Sequence, residues 1–140
     1  FNKAKTKCYD PTNKLLLRLI EENYGRFKIN YSITGTFIEQ AQKTKAGREV
    51  VESFQQLAST GKVEFLDETY YHSLASLFSD PEEFRSQVQQ HNSLIRDHFG
   101  VSPQVFRFAC VSPVVVPLCA SSSVAYPGLP SSRGRDRIGQ

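Results

Sequence analysis

From Phe27 to Ile33 apolar and polar residues alternate without a break. Phe27, Ile29, Tyr31 and Ile33 fall on one side of an extended chain, and Lys28, Asn30 and Ser32 on the other. This is the pattern of a strand, and its neighbours decide the fold. Ahead of it, Thr12 can cap a helix reaching about Tyr24, with Leu15, Leu16, Leu19 and Ile20 on one face and Gly25 past its end. After it, the small-residue turn Thr34-Gly35-Thr36 leads into a helical stretch, clearest at 47–59, where Val50, Val51, Phe54, Leu57 and Ala58 form a stripe that Gly61 stops. Residues 63–66 form a short strand. Asp80-Pro81-Glu82-Glu83 opens a further helix, with Asp80 as N-cap, Pro81 at the first helical position and Glu83 as the reciprocal partner. Phe84, Val88, His91, Leu94 and Ile95 continue it to about His98, and Gly100 ends it; residues 104–108 read as a third strand. Strand, helix, strand, helix, strand at this spacing predicts βαβ units and a parallel sheet, either open and doubly wound or part of a barrel. Both architectures bind ligands at the carboxyl ends of their strands. Three places qualify: Thr34-Gly35-Thr36, the segment after Leu66, and whatever follows Phe106.

A chain of 140 residues holds one such domain and not two. With 39% hydrophobic and 22% charged residues it has the composition of a folded soluble domain. A net charge of +3 is too mild to argue for nucleic acid or an anionic membrane as partner. No apolar run reaches the roughly 18 residues of a membrane span, and no leader pattern opens the chain, so a cytoplasmic location is expected. The start at Phe1 hints at a missing N-terminus. Cys8, Cys110 and Cys119 have neither disulfide nor zinc spacing, and no metal or other cofactor is expected. Composition breaks near residue 98. No lysine follows Lys62, and Arg107 is the only charged residue between His98 and Ser132. Residues 110–134, rich in Pro, Ser, Val and Gly, carry no period. The chain therefore divides into residues 1–108, ordered from about residue 8, and an irregular tail at 109–140.

The densest chemistry is the run Glu64-Phe65-Leu66-Asp67-Glu68-Thr69-Tyr70-Tyr71-His72-Ser73, which starts in one strand and runs off its carboxyl end. Sugar hydroxyls need carboxylate and imidazole partners, and aromatic faces cover their C–H surfaces. Carboxylates at strand ends also suit acid/base work at an acetal. The bland alternative puts Glu64 and Glu68 in solvent and has Tyr70 and Tyr71 merely cover the sheet. His91, on the apolar side of its helix, reads as a satisfied packing histidine, and His98 as a helix-end residue favoured by the dipole. Lys3, Lys5 and Lys7 read as a solvated end. Cys110 follows the third strand with no basic partner in view to activate it.

The stretch from Gly61 through Lys62-Val63-Glu64 to Glu68-Thr69-Tyr70-Tyr71-His72-Ser73-Leu74-Ala75 resembles the second sequence motif of glycoside hydrolase family 57, in its α-amylase-like branch. Cys8-Tyr9 with Pro11 and Asn13, Tyr31-Ser32-Ile33-Thr34-Gly35-Thr36, and Pro103 with Val105-Phe106-Arg107 resemble the same branch, so the likeness covers about residues 8–107. The resemblance implies an incomplete (β/α) barrel of the glycoside hydrolase and deacetylase type. It also implies retaining hydrolysis or transfer on an α-glucan or maltooligosaccharide, by a nucleophile and an acid/base carboxylate and without a metal. Glu64 corresponds to the second motif's glutamate, which lines the site and is not the nucleophile. Glu68, Tyr70, His72 and Ser73 fall in the same wall, and Thr34 and Gly35 match the preceding strand-end turn.

Three departures stand out. The family's first motif, His-Gln-Pro, is absent. Asp67 replaces the usual glycine before Glu68. After Phe106-Arg107, Phe108-Ala109-Cys110 replaces Asn-Thr-Glu, so Cys110 occupies the nucleophile's position, and the acid aspartate has no counterpart. Loss of the likeness coincides with the composition break, as a shift of reading frame near codon 108 would produce. The chain as given is then expected to be inactive. Two alternatives stay open. A polysaccharide deacetylase would need paired histidines and an aspartate around a metal, and no His-x-x-x-His occurs here. A non-catalytic carbohydrate-binding module would use the Tyr70–Ser73 wall alone.

Overall fold

The computed structural model describes residues 1–108; Cys110 and the whole tail 109–140 lie outside the described residues. In chain order the elements are α1 (Asn2–Ala4), a π-helical turn (Lys5–Tyr9), α2 (Asp10–Glu22), β1 (Ile29–Tyr31), α3 (Gly35–Gln42), α4 (Lys45–Ser59), β2 (Val63–Phe65), a 3₁₀ turn (Ala75–Leu77) and α5 (Glu82–Phe99). β1 and β2 pair in parallel, with Ile29 opposite Val63, Asn30 opposite Glu64 and Tyr31 opposite Phe65. The fold is α/β, as the alternation of elements predicts.

Alternating burial explains the register. Val63 and Phe65 turn into a core made with Val50, Val51, Phe54 and Leu57 of α4 and Ile95 and Phe99 of α5. Phe65 stacks on Phe99 with centroids 4.4 Å apart, and Tyr31 meets Phe54 edge-on at 5.0 Å. Truncating a core aromatic of this kind costs about 3–5 kcal/mol. The period of two puts Glu64 on the opposite face of β2.

Several local expectations are corrected. The first helix does not start at Thr12: helical backbone already runs from Asn2, and Thr12 is an exposed interior residue of α2. Pro11 has no N–H and its ring crowds the carbonyl four residues back. The wider turn ahead of it, where Asp10 N–H donates to the Lys5 carbonyl, relieves that conflict and keeps the helix going. Lys5 is not simply solvated: its Nζ lies 2.7 Å from Asp10 Oδ2 and 3.3 Å from Glu49 Oε2, tying this helix to α4. The last helix starts one residue later than expected, with Pro81 as N-cap. Asp80 Oδ1 still accepts from Glu82 N–H at 2.9 Å, but Glu83 takes the Gln87 amide at 2.6 Å rather than closing a capping box. The third strand shrinks to a single parallel bridge, Asp67 with Phe106, and the Phe106 ring packs with Phe84 and Val88 in a second small core. Gly25, Gly61 and Gly100 have positive φ just past α2, α4 and α5, as their capping role predicts.

Candidate functional site

Beyond Tyr31 and Phe65 the two strands stay together, with Leu66 N–H donating to the Tyr31 carbonyl at 2.7 Å. The carboxyl ends of the strands therefore lie side by side, and the residues just after each meet there.

Glu68 is the centre of this meeting. Its side chain is 1% exposed, against 37% for His72. A carboxylate so deeply placed has to be hydrogen-bonded to be tolerated. Ser32, at the end of β1, donates its hydroxyl to Glu68 Oε1 at 2.7 Å, and the His72 Nδ1–H donates to Oε2. Ser32 Oγ in turn accepts from Arg107 Nη1 at 2.9 Å. An exposed guanidinium, a hydroxyl, a buried carboxylate and a partly exposed imidazole thus form one chain across three strand ends.

The loop carrying His72 is built for this. His72 has φ of +53°, a left-handed conformation that costs a side-chain-bearing residue about 1–2 kcal/mol. Its N–H closes a turn on the Thr69 carbonyl at 2.8 Å, while Thr69 Oγ1 accepts from Ser73 N–H at 2.7 Å and donates to the Ser73 carbonyl at 3.2 Å. Ser73 Oγ donates to Gln87 Oε1 of α5 at 2.7 Å. Ser73 therefore anchors the loop to the helix.

Tyr70 and Gly35 also belong to the framework. Tyr70 is 3% exposed, and its ring lies where a Cβ on Gly35 would be, at 2.4–2.5 Å. Gly35 N–H donates to the Tyr70 carbonyl at 3.0 Å. The Tyr70 hydroxyl donates to Glu39 Oε1 at 2.6 Å. Burial, with the Glu39 hydrogen bond and charge adding to it, pushes the Tyr70 phenol up to about 12. Tyr71, by contrast, is exposed. Thr34 caps α3, its Oγ1 accepting from Phe37 N–H at 3.2 Å. Glu64 sits beside Asn30 on the face of the sheet away from the helices, half-buried.

Ser32, Asp67, His91 and Arg107 are not among the site residues the sequence points to, yet all four hold the strand ends. His91 is the packing histidine the apolar helix face predicts, with 0% exposure; its Nδ1 is 2.7 Å from Asp67 Oδ1 and its Nε2 2.9 Å from the Ile33 carbonyl. The signal that could have found Asp67 is its place two residues past the buried strand β2, where a carboxylate demands a partner.

The family model described as glycosyl hydrolase family 57 matches residues 1–119. A curated relative from Methanocaldococcus jannaschii, named "Putative alpha-amylase", is 48% identical over 107 residues, which is 76% of this chain and 22% of the relative. The chain thus spans about a fifth of the length of the relative it matches. No solved structure matches it significantly. Among the described residues, no helix is long and apolar enough to cross a membrane. A match over most of the chain, together with close identity to one relative, places the residues around Glu68 within a known lineage: the chain belongs to glycosyl hydrolase family 57.

Proposed function

We propose that this chain forms one wall of the sugar site of a retaining glycoside hydrolase acting on α-glucans or maltooligosaccharides. Its parallel strands would be part of an incomplete (β/α) barrel. The observation that carries the reading is the buried Glu68 carboxylate, held by Ser32 and His72 at the carboxyl end of a parallel pair. A partly exposed imidazole, held on a rigid turn by a buried carboxylate, suits the fixed hydroxyls of a glucose ring. His72, partly exposed, would contact sugar, and the buried Glu68 would hold and orient it. Glu64 would line the mouth from the non-helical face of β2. Thr34, Gly35, Tyr70 and Ser73 would hold the wall in place. Family membership supports glycosidic chemistry, and the name of the archaeal relative supports an α-glucan as substrate.

The residues assigned here bind and orient sugar and do not attack it. With Cys110 at the nucleophile's position, the 140-residue chain would bind maltooligosaccharide without cleaving it. Titrating maltoheptaose into the isotopically labelled chain tests this: resonances of Glu68 and His72 should shift saturably, and no reducing ends should appear from soluble starch. Shifts with cellohexaose but none with maltoheptaose would overturn the substrate class. The deacetylase reading is disfavoured because the family to which the chain belongs is one of glycosyl hydrolases.

A further inference from the structure

Outside the Glu68 network, the most heavily committed polar groups in the core are Asp67 and His91, each with 0% exposure. Both ring nitrogens of His91 face acceptors. The Ile33 carbonyl at 2.9 Å has no proton to give, so Nε2 must carry one. Asp67 already takes two other donors: Glu68 N–H reaches Oδ1 at 3.0 Å, and the Asn92 amide reaches Oδ2 at 3.3 Å. A side chain gathering donors in this way acts as a carboxylate, and His91 Nδ1–H is its third donor, at 2.7 Å. A neutral imidazole donates from one nitrogen only. Spanning from a carboxylate to a carbonyl therefore needs the doubly protonated ring.

The connections of this pair explain why a charged clamp is placed here. His91 comes from α5; Ile33 follows β1; Asp67 follows β2. Asp67 simultaneously joins the third strand segment, its N–H donating to the Val105 carbonyl at 2.8 Å and its carbonyl accepting from Arg107 N–H at 2.7 Å. One buried pair thus fixes three strand ends to one helix. The residues that leave this junction are Thr34, Glu68 and Arg107 itself.

We propose that His91 is a positioning residue for the Glu68 site: as an imidazolium clamped between Asp67 and the Ile33 carbonyl, it sets the relative placement of Ser32, Glu68 and His72. The proposal rests on the sugar-site reading for its functional meaning, but its geometry is testable without sugar. Burial alone would lower the affinity of His91 for its proton. The hydrogen bonds His91 donates to Asp67 and the Ile33 carbonyl, and the charges of Asp67 and Glu68, outweigh it and raise the value above the usual 6.5.

Long-range proton–nitrogen spectra of the full chain decide the matter. Both ring nitrogens of His91 should resonate in the protonated range at neutral pH, and the His72 Nδ1 proton should be shifted strongly downfield by its bond to Glu68. In His91→Gln, which can no longer donate in two directions, the His72 signal should move toward its solvent-exposed position while helical circular dichroism persists. Should that variant not fold, Asp67→Asn keeps the shape and removes the charge; the His91 Nδ1 proton and the His72 downfield signal should then be lost together. An unprotonated Nδ1 in the parent chain, or an unchanged His72 signal in a folded variant, overturns the proposal. A maltoheptaose titration of the same samples reports separately on the sugar-site reading, so the two can fail independently.

Discussion

His72 donates to Glu68 from the turn immediately above it, and the two are four residues apart in sequence without being on a helix. The left-handed backbone at His72 makes the contact possible, since an extended chain would carry the imidazole away from the carboxylate. Strain at such a position survives only where surrounding bonds over-determine it, and the reciprocal Thr69–Ser73 pair does so here.

Replacing Glu68 with alanine should therefore damage both stability and binding. Ser32 loses its acceptor, and His72 loses the partner that holds its ring. Hydrogen bonds to a charged group contribute about 1.5–3 kcal/mol. Urea denaturation should record a loss of that order, and maltoheptaose binding should vanish. Glu68→Gln keeps one acceptor oxygen and should fall between. Equal binding by all three forms would remove Glu68 from the site.

Gly35→Ala tests space rather than backbone freedom. The added carbon would meet the Tyr70 ring at 2.4–2.5 Å, and the ring is held from its other end by Glu39. Overpacking of this kind costs about 1–3 kcal/mol. In a Tyr70→Ala background the obstacle is gone, so the same Gly35→Ala change should cost much less there. A double-mutant cycle on urea midpoints measures the coupling, and strict additivity would contradict the packing account.

The parallel order of elements was legible because each apolar face recurs at its own period: two in Phe27–Ile33, and near 3.6 in Val50–Ala58 and Phe84–Ile95. Helix starts were less legible. Thr12 and Asp80 are good caps by residue type, but the first turn of a helix is decided by what precedes it, and the π-helical turn before Pro11 has no sequence mark. The cluster at 64–73 marked the site region without dividing wall from scaffold. Tyr70 and Tyr71 are adjacent and alike, yet one is 3% exposed and the other 53%. Which of them faces inward depends on Gly35, thirty-five residues away in sequence from Tyr70, and no local pattern encodes that contact. Ser32 and Arg107 were hidden for the same reason: their roles exist only once three strand ends come together.

Asn13 offers a test of the framework behind the site. Only 2% exposed, it donates to Ser53 Oγ at 2.7 Å and accepts from the Tyr31 hydroxyl at 2.9 Å, so it joins α2 to α4 and β1. Asn13→Ala should cost about 1–3 kcal/mol, because the Tyr31 hydroxyl is left without its acceptor. Tyr31→Phe on top of it removes that hydroxyl and should recover part of the loss. Thermal or urea melts of the two single variants and the double variant check this. No recovery in the double variant would mean that the Tyr31 bond contributes little.

The pH dependence of stability should carry the signature of His91. Its folded value lies above the unfolded 6.5, so the folded state holds the proton more tightly than the unfolded chain does. The resulting stabilisation is complete below the unfolded value and is lost as pH rises through the raised folded one. His72 and His98 are common to parent and variant. The stability difference between the parent chain and His91→Gln should therefore be largest at about pH 6 and shrink by about pH 9. Urea midpoints of both forms at these two conditions supply the comparison. A difference that stays constant, or that grows with pH, would mean that His91 is neutral in the folded chain and that Asp67 is held by some other donor.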